Sequence, residues 1–295
     1  MQNSPPAPIA APRNLIGPFV GDFTASTWNA QGFFTAKALQ HNRKRAFVRR
    51  LLAKSDLVLL TETHVTKGSK AVFEEIPGTK SWWSPGTAAR GGVGVIASSA
   101  FLERFMLEEP TWDEFQPGRL ARLSLLGPDG RLDVVAAYFP TGTKAPILPE
   151  GVEEVEGQEE LSLRKQREAL AREVRSHLRP SQALSVVAGD FNFVTDCRDR
   201  FSKESGKFSG GSDAAEAVAW KRLFGDGSLL HEIWQEHATH DGPRSRGRLD
   251  RVYINQCVSE QLDRTIFVAL WHGVRSFRST AFWFSAGSAS QLNSR

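Results

Sequence analysis

Two rhythms of apolar and polar residues run along the chain. One is the short, almost unbroken apolar run, as in "DLVLLTET" (56–63), "GGVGVIASSA" (91–100) and "ALSVVAGDFN" (183–192). Runs of this kind are strands buried on both faces. A shorter strand is expected over "TASTWNA" (24–30), and two alternating strands, "RLARLSLLG" (119–127) and "RLDVVAAYFP" (131–140), flank "GPDG", a turn of the hairpin kind. The other rhythm is helical. It covers residues 35–55, the segment from Leu161 to Leu178, and "SDAAEAVAWKRLFGDG" (212–227), where Ser212 or Asp213 is the expected cap and a glycine the stop. "RLDRVYIN" (248–255) and "RTIFVALW" (264–271) are expected as late strands.

Strands outnumber helices, and short turns join many of them. A layered α/β protein with antiparallel or mixed sheets follows, and a doubly wound parallel fold does not. The Pro-interrupted start has no basic n-region, so residues 1–22 read as a disordered leader and a poor signal peptide. One domain is expected over 23–285, with 286–295 as a disordered tail.

Composition narrows the class. The chain has 295 residues, of which 40% are hydrophobic and 24% charged, with eight Trp and nineteen Phe to fill a core. Cys197 and Cys257 are too few for a disulfide framework, and no Cys/His spacing suggests zinc. A reducing, intracellular setting, nuclear or cytoplasmic and not secreted, is the expectation. No run approaches a membrane span, so no membrane partner is expected. Net charge is +4, with basic residues crowded at 41–54 and 242–251. That excess suits a polyanionic partner without demonstrating one.

The chemistry sits where the apolar runs stop. Asn29 follows "STW", Glu62 follows "LLT", Tyr138 follows "VAA", Asp190 and Asn192 follow "VVAG", and Asp250 lies in "SRGRLDRVY". Each alone reads as a cap or a satisfied turn residue. Together, on one rim of a strand sandwich, such oxygens suit a hard cation such as Mg²⁺ bound to phosphate. Asp190 and Asn192, two apart on an extended chain, are expected to share a face while Phe191 turns into the core. Trp82 and Trp83 read as core, and His231 and His237 as packing or solvent-facing. "AARGGVGV" lacks the Lys and Ser/Thr of a P-loop.

The motifs "STWNAQG", "LLTETH", "GGVGVIAS", "VVAAYFPTG", "VVAGDFNF" and "RGRLDRVYIN" occur in this order over residues 26–255. In this the chain resembles the endonuclease/exonuclease/phosphatase superfamily. The resemblance implies a four-layer α/β/β/α sandwich of two mixed sheets flanked by helices, and hydrolysis of a phosphoester with Mg²⁺ or Mn²⁺. By the same resemblance, Glu62 ligates the metal and Asn29 contacts metal or phosphate. Asp190 takes a proton from the attacking water, Asn192 binds a phosphate oxygen, and Tyr138 donates to the phosphate or leaving group. Asp250 would orient the family's catalytic His.

That His is where the chain departs from the pattern. The family ends in Ser-Asp-His, and this chain has Ser276, Phe277 and Arg278. His272 is the later His left for the role, a few residues early, and Arg278 is left to contact the scissile phosphate. Tyr138, where secreted DNases carry His, points to the branch resembling abasic-site endonucleases. "SRGRLDRVYIN" looks most like the endonuclease domains of non-LTR retrotransposons, with Arg248 and its basic approach against DNA phosphates. The expectation is a monomeric DNA endonuclease. The alternatives are an impaired member that binds metal and nucleic acid, or a phosphatase or phospholipase of the same fold.

Overall fold

A computed structural model describes residues 17–34, 37–71, 73–87, 90–141, 163–209, 214–225, 229–235, 237–255, 267–271 and 281–286. In chain order its elements begin with β1 (Phe23–Asn29), α1 (Ala38–Leu52), β2 (Leu57–Thr61), α2 (Lys67–Ala71), β3 (Thr79–Ser84), β4 (Val93–Ser98) and α3 (Ser99–Leu102). Then come β5 (Thr111–Gln116), β6 (Leu120–Gly127), β7 (Gly130–Tyr138), α4 (Leu163–His177) and β8 (Leu184–Asp190). The last part holds β9 (Arg200–Ser202), β10 (Lys207–Phe208), α5 (Ala214–Phe224), β11 (His231–Glu232), β12 (His240–Asp241), β13 (Ser245–Gly247), β14 (Asp250–Ile254), β15 (Phe267–Trp271) and β16 (Ala281–Ala286).

Two six-stranded sheets, ordered β15-β16-β1-β2-β4-β3 and β11-β14-β8-β7-β6-β5, form the body. Each has one parallel pair at its middle, β1 with β2 and β7 with β8, and antiparallel neighbours outside it. Pleating sends alternate side chains to opposite faces, and three separate cores result. Phe23, Ala25, Leu57 and Leu59 of the first sheet meet Leu132, Val134, Val186 and Ala188 of the second. Trp28, Val58 and Leu60 face the other way, onto Phe47, Val48 and Leu51 of α1. Val135 and Val187 face outward onto Leu170 and Val174 of α4 and Trp220 and Phe224 of α5. Helix, sheet, sheet and helix make the expected four layers. The apolar runs are unbroken because both faces of these strands are covered.

Details differ from the sequence expectation. The packed domain begins before residue 23, because Phe19 is fully buried against Phe23 and Phe105 and its N–H bonds the Arg131 carbonyl at 2.9 Å. Residues 1–16 lie outside those described. "TKSWWS" is itself the edge strand β3, with Trp83 buried and stacked on Phe33. Gly225 stops α5 with φ 65°, as its place after the helix requires. The expected caps Ser212 and Asp213 lie outside the described residues.

A third sheet, β10-β9-β13-β12, was not legible in the pattern, since its strands are only two or three residues long. Asp199 fastens it to the body. Its carboxylate accepts from Arg248 at 2.6 and 2.9 Å, from Arg251 at 2.5 Å, and from the backbone N–H groups of Thr195 and Asp196 at 2.9 Å. Burial alone would raise this carboxyl, but Arg251 and Arg248 hold it below the usual range. Removing one partner of such a buried cluster strands the others in low dielectric. Asp199→Ala is therefore expected to cost about 3–5 kcal/mol, measured as a shift in the urea midpoint.

Candidate active site

The sandwich brings the carboxyl ends of β1, β2, β7 and β8 and the start of β14 to one rim. Register does this: Tyr138 and Asp250 both lie opposite Asp190, and Asn29 lies opposite Thr61, next to Glu62. Two hydrogen bonds then cross between the sheets. Asn29 Nδ2 donates to Asp190 Oδ2 at 2.8 Å, and Tyr138 Oη donates to Glu62 Oε1 at 2.8 Å. Four residues expected from the sequence thus stand in contact.

The backbone around them is bent into place. Among the described residues, the non-glycine positions with positive φ are Gln31, Glu62, His64 and Asn192, at 45–55°, and all border this rim. Left-handed backbone at such residues costs energy and persists only where the surroundings enforce it. The enforcement is visible. Lys44 of α1 is buried and donates to the Gln31 and Gly32 carbonyls at 2.6 and 2.8 Å, while Gly32 N–H bonds the Glu62 carbonyl at 2.6 Å. Gly91 and Gly92 accept from His64 and Thr63 at 2.9 and 3.0 Å. A Cβ on Gly92 would come within 2.3 Å of Thr63 Oγ1. "RGGVG" is thus a clasp for the "ETH" turn. Gly189 permits a similar approach, since a Cβ there would lie 2.0 Å from the Ala137 carbonyl oxygen.

Asp190 is buried, and Asn192 N–H donates to its Oδ1 at 3.0 Å. Burial first, and then the charge of Glu62, push its carboxyl up to about 6, against the pull of the Asn29 and Asn192 hydrogen bonds. Burial and the charge of Asp190 also raise Asp250, whose Oδ1 has no hydrogen-bond partner among the described residues. Tyr138 is held protonated, its hydroxyl raised by burial and by Glu62. Phe191 turns into the core against Phe139, as expected. Asn192, however, does not follow Asp190 along an extended chain. Its φ is 51°, and the turn aims its amide at the Phe139 carbonyl, 2.9 Å away, leaving one amide hydrogen to spare among the described residues.

Arg248 is a correction. It is buried, paired with Asp199 and Glu232, and covered by the Trp234 ring at 3.7 Å. A guanidinium so engaged holds the fold and is not available to a phosphate. His272 and Arg278 lie outside the described residues. Sequence reasoning missed Arg119, which is buried, stacks 4.4 Å over the Tyr138 ring, and leaves Nη1 without a hydrogen-bond partner among the described residues. It missed Lys44 as well, since a Lys inside a basic helical run carries no sign that it folds inward.

A family model described as the endonuclease/exonuclease/phosphatase family matches residues 26–285. The chain belongs to that family. Its members are hydrolases acting on phosphodiester bonds and generally use divalent metals. No curated protein sequence matches significantly. Among solved structures, the AP endonuclease LMAP from Leishmania major is 16% identical, with 92% of this chain and 93% of that one covered and a TM-score of 0.65. An AP endonuclease from Archaeoglobus fulgidus is 16% identical over 90% and 99%, with a TM-score of 0.59. The endonuclease domain of TRAS1, a telomere-specific non-LTR retrotransposon, is 15% identical over 90% and 99%, with a TM-score of 0.54. At these identities the likeness is one of fold. Among the described residues no helix is long and apolar enough to cross a membrane.

The donor set fits a hard divalent cation. Glu62, Asp190 and Asn29 offer only oxygen acceptors, and after burial the charge of Glu62 raises the Asp190 carboxyl. Among the described residues no three His, Cys, Asp or Glu side chains form a cage on their own. Such a cation would complete its shell from water and phosphate, as Mg²⁺ commonly does.

This electrostatic demand has a measurable sign. Asp190 is raised, so its contribution to stability is complete below its unfolded value of 3.8 and is lost as pH rises through about 6. Added Mg²⁺ is therefore expected to raise Tm more at about pH 7.5 than at about pH 5. Glu62→Gln is expected to remove that difference in thermal melts.

Proposed function

We propose that the protein is a DNA endonuclease that uses Mg²⁺ or Mn²⁺ held by Glu62 with Asn29. The observation that carries this reading is the pair of inter-sheet hydrogen bonds that gathers Glu62, Asn29, Tyr138 and Asp190 on one strained rim. The fold shared with two AP endonucleases and the TRAS1 domain supports DNA over a small phosphoester. A monomer inside the cell, nuclear or cytoplasmic, fits the sparse cysteines.

When bound, the cation supplies charge neutralisation at the phosphoryl oxygens. The chain's own groups do the rest. Asp190, desolvated and with its carboxyl near 6, accepts the proton of the attacking water at a pH close to neutral. Asn29 and the Asn192 N–H fix its two oxygens and so orient the water. The spare amide hydrogen of Asn192 and the protonated Tyr138 hydroxyl donate to phosphoryl or leaving-group oxygen. Arg119 adds positive charge behind Tyr138. Asp250 orients the group that protonates the leaving oxygen, a role we assign to His272, while Arg278 contacts the scissile phosphate.

A second reading, an impaired member that binds metal and nucleic acid, is favoured by one observation. Phe277 and Arg278 stand at the family's Asp-His. Nicking of supercoiled plasmid and of a duplex with one abasic site separates the two. Asp190→Ala is expected to slow nicking about 10²–10⁴-fold, the worth of a positioned base. His272→Ala should fall with it. Arg119→Met is expected to lower kcat/KM by about 10²-fold, as for one lost transition-state donor. A parent protein that binds DNA with metal but never nicks it establishes the second reading.

A further inference from the structure

Beside the rim lies a surface that this chemistry leaves unused. In the small sheet, Phe208 pairs with Phe201, Phe201 with Arg246, and Arg246 with Asp241, so pleating sets the four side chains in one row on one face. The two rings meet edge to face with centroids 5.7 Å apart, and Phe208 is 60% exposed. Arg246 and Asp241 pair at 3.5 Å with both side chains largely in solvent, and Lys203 also holds Asp241 at 2.5 Å. Exposed pairs of this kind are weak and exchange readily for another anion.

A third ring lies nearer the rim. Two residues past Arg246, Arg248 carries the Trp234 ring at 3.7 Å, and Arg198 lies 5.0 Å from the same ring. Trp234 is 44% exposed, and the neighbouring Gln235 side chain donates to the Asp250 carbonyl. Arg198 is paired with Asp196 at 3.0 Å, again in solvent. Partly exposed aromatic rings beside exchangeable arginines match one ligand chemistry. Rings stack on unpaired bases and guanidinium groups meet the phosphates between them. A closed duplex hides its base faces and offers the rings nothing.

We propose that Phe208, Phe201 and Arg246, continued by Trp234 with Arg198, bind unpaired bases of a nucleic-acid strand that flanks the scissile phosphate. The flanking position rests on the endonuclease reading; the base binding does not.

Anisotropy of a labelled single-stranded oligothymidylate, read on the full chain in EDTA, isolates this surface from catalysis, with a blunt duplex of equal length as control. Phe208→Ala is expected to weaken single-strand binding roughly 5- to 100-fold, the span for one lost stack, and to leave duplex binding within about twofold. Trp234→Ala should act likewise and Trp234→Phe should restore most of the affinity. Hydrolysis of bis(4-nitrophenyl) phosphate with Mn²⁺ should be unchanged in Phe208→Ala and lost in Asp190→Ala. Unaltered single-strand affinity in both alanine variants overturns the proposal. Equal losses on single strand and duplex overturn it too, because they mark a charged surface without base stacking. If the parent hydrolyses no diester while the anisotropy results hold, the endonuclease reading falls and the base platform stands.

Discussion

Two hydrogen bonds between the sheets, Asn29 to Asp190 and Tyr138 to Glu62, set the condition on which the rest depends. Each joins a strand end of one sheet to a strand end of the other. They form only if the sheets stack face to face with their parallel pairs aligned, and that alignment is the work of the apolar core between them. A slip of one residue in any central strand would exchange the side chains of its two packed faces and take its terminal polar residue off the rim. Core packing and site assembly are therefore one constraint.

The rim is expensive to maintain. Among the described residues it gathers left-handed backbone at four non-glycine residues with two buried carboxyls, Asp190 and Asp250, raised first by burial and then by the charges of Glu62 and Asp190 respectively. Such features tend to collect where a ligand or reaction needs a prepared geometry. The compensation is local and specific. Lys44 grips one turn through two carbonyls, Gly91 and Gly92 grip another, and Arg119 lies over Tyr138. These are backbone and stacking contacts, so they hold the rim in place without occupying the acceptor oxygens of Glu62 and Asp190.

Asp199 plays a parallel part outside the rim. Together with Glu232 it neutralises Arg248 and Arg251, which converts half of a basic stretch into structure and leaves Arg246 on the surface. The small sheet gains a rigid attachment two residues from Asp250. The exposed row on the small sheet and the rim thus share one anchor.

The sequence by itself determined the layers and most of the polar residues that meet at the rim. Unbroken apolar runs imply strands covered on both sides, and polar residues at their ends imply a rim, because both follow from local periodicity. The ordered motifs around Glu62, Tyr138, Asp190 and Asp250 carried the family. Tertiary structure alone decided the rest, since it depends on partners distant in the chain. Arg246 and Arg248 look alike in "RGR", yet one is in solvent and the other buried, because Asp199 lies 49 positions from Arg248. Lys44 folds inward only because the Gln31 and Gly32 carbonyls are there to receive it. The turn at Asn192 and the stacking of Arg119 on Tyr138 likewise arise from neighbours across the sheet. Periodicity reports which face a residue takes; only packing reports what it meets there.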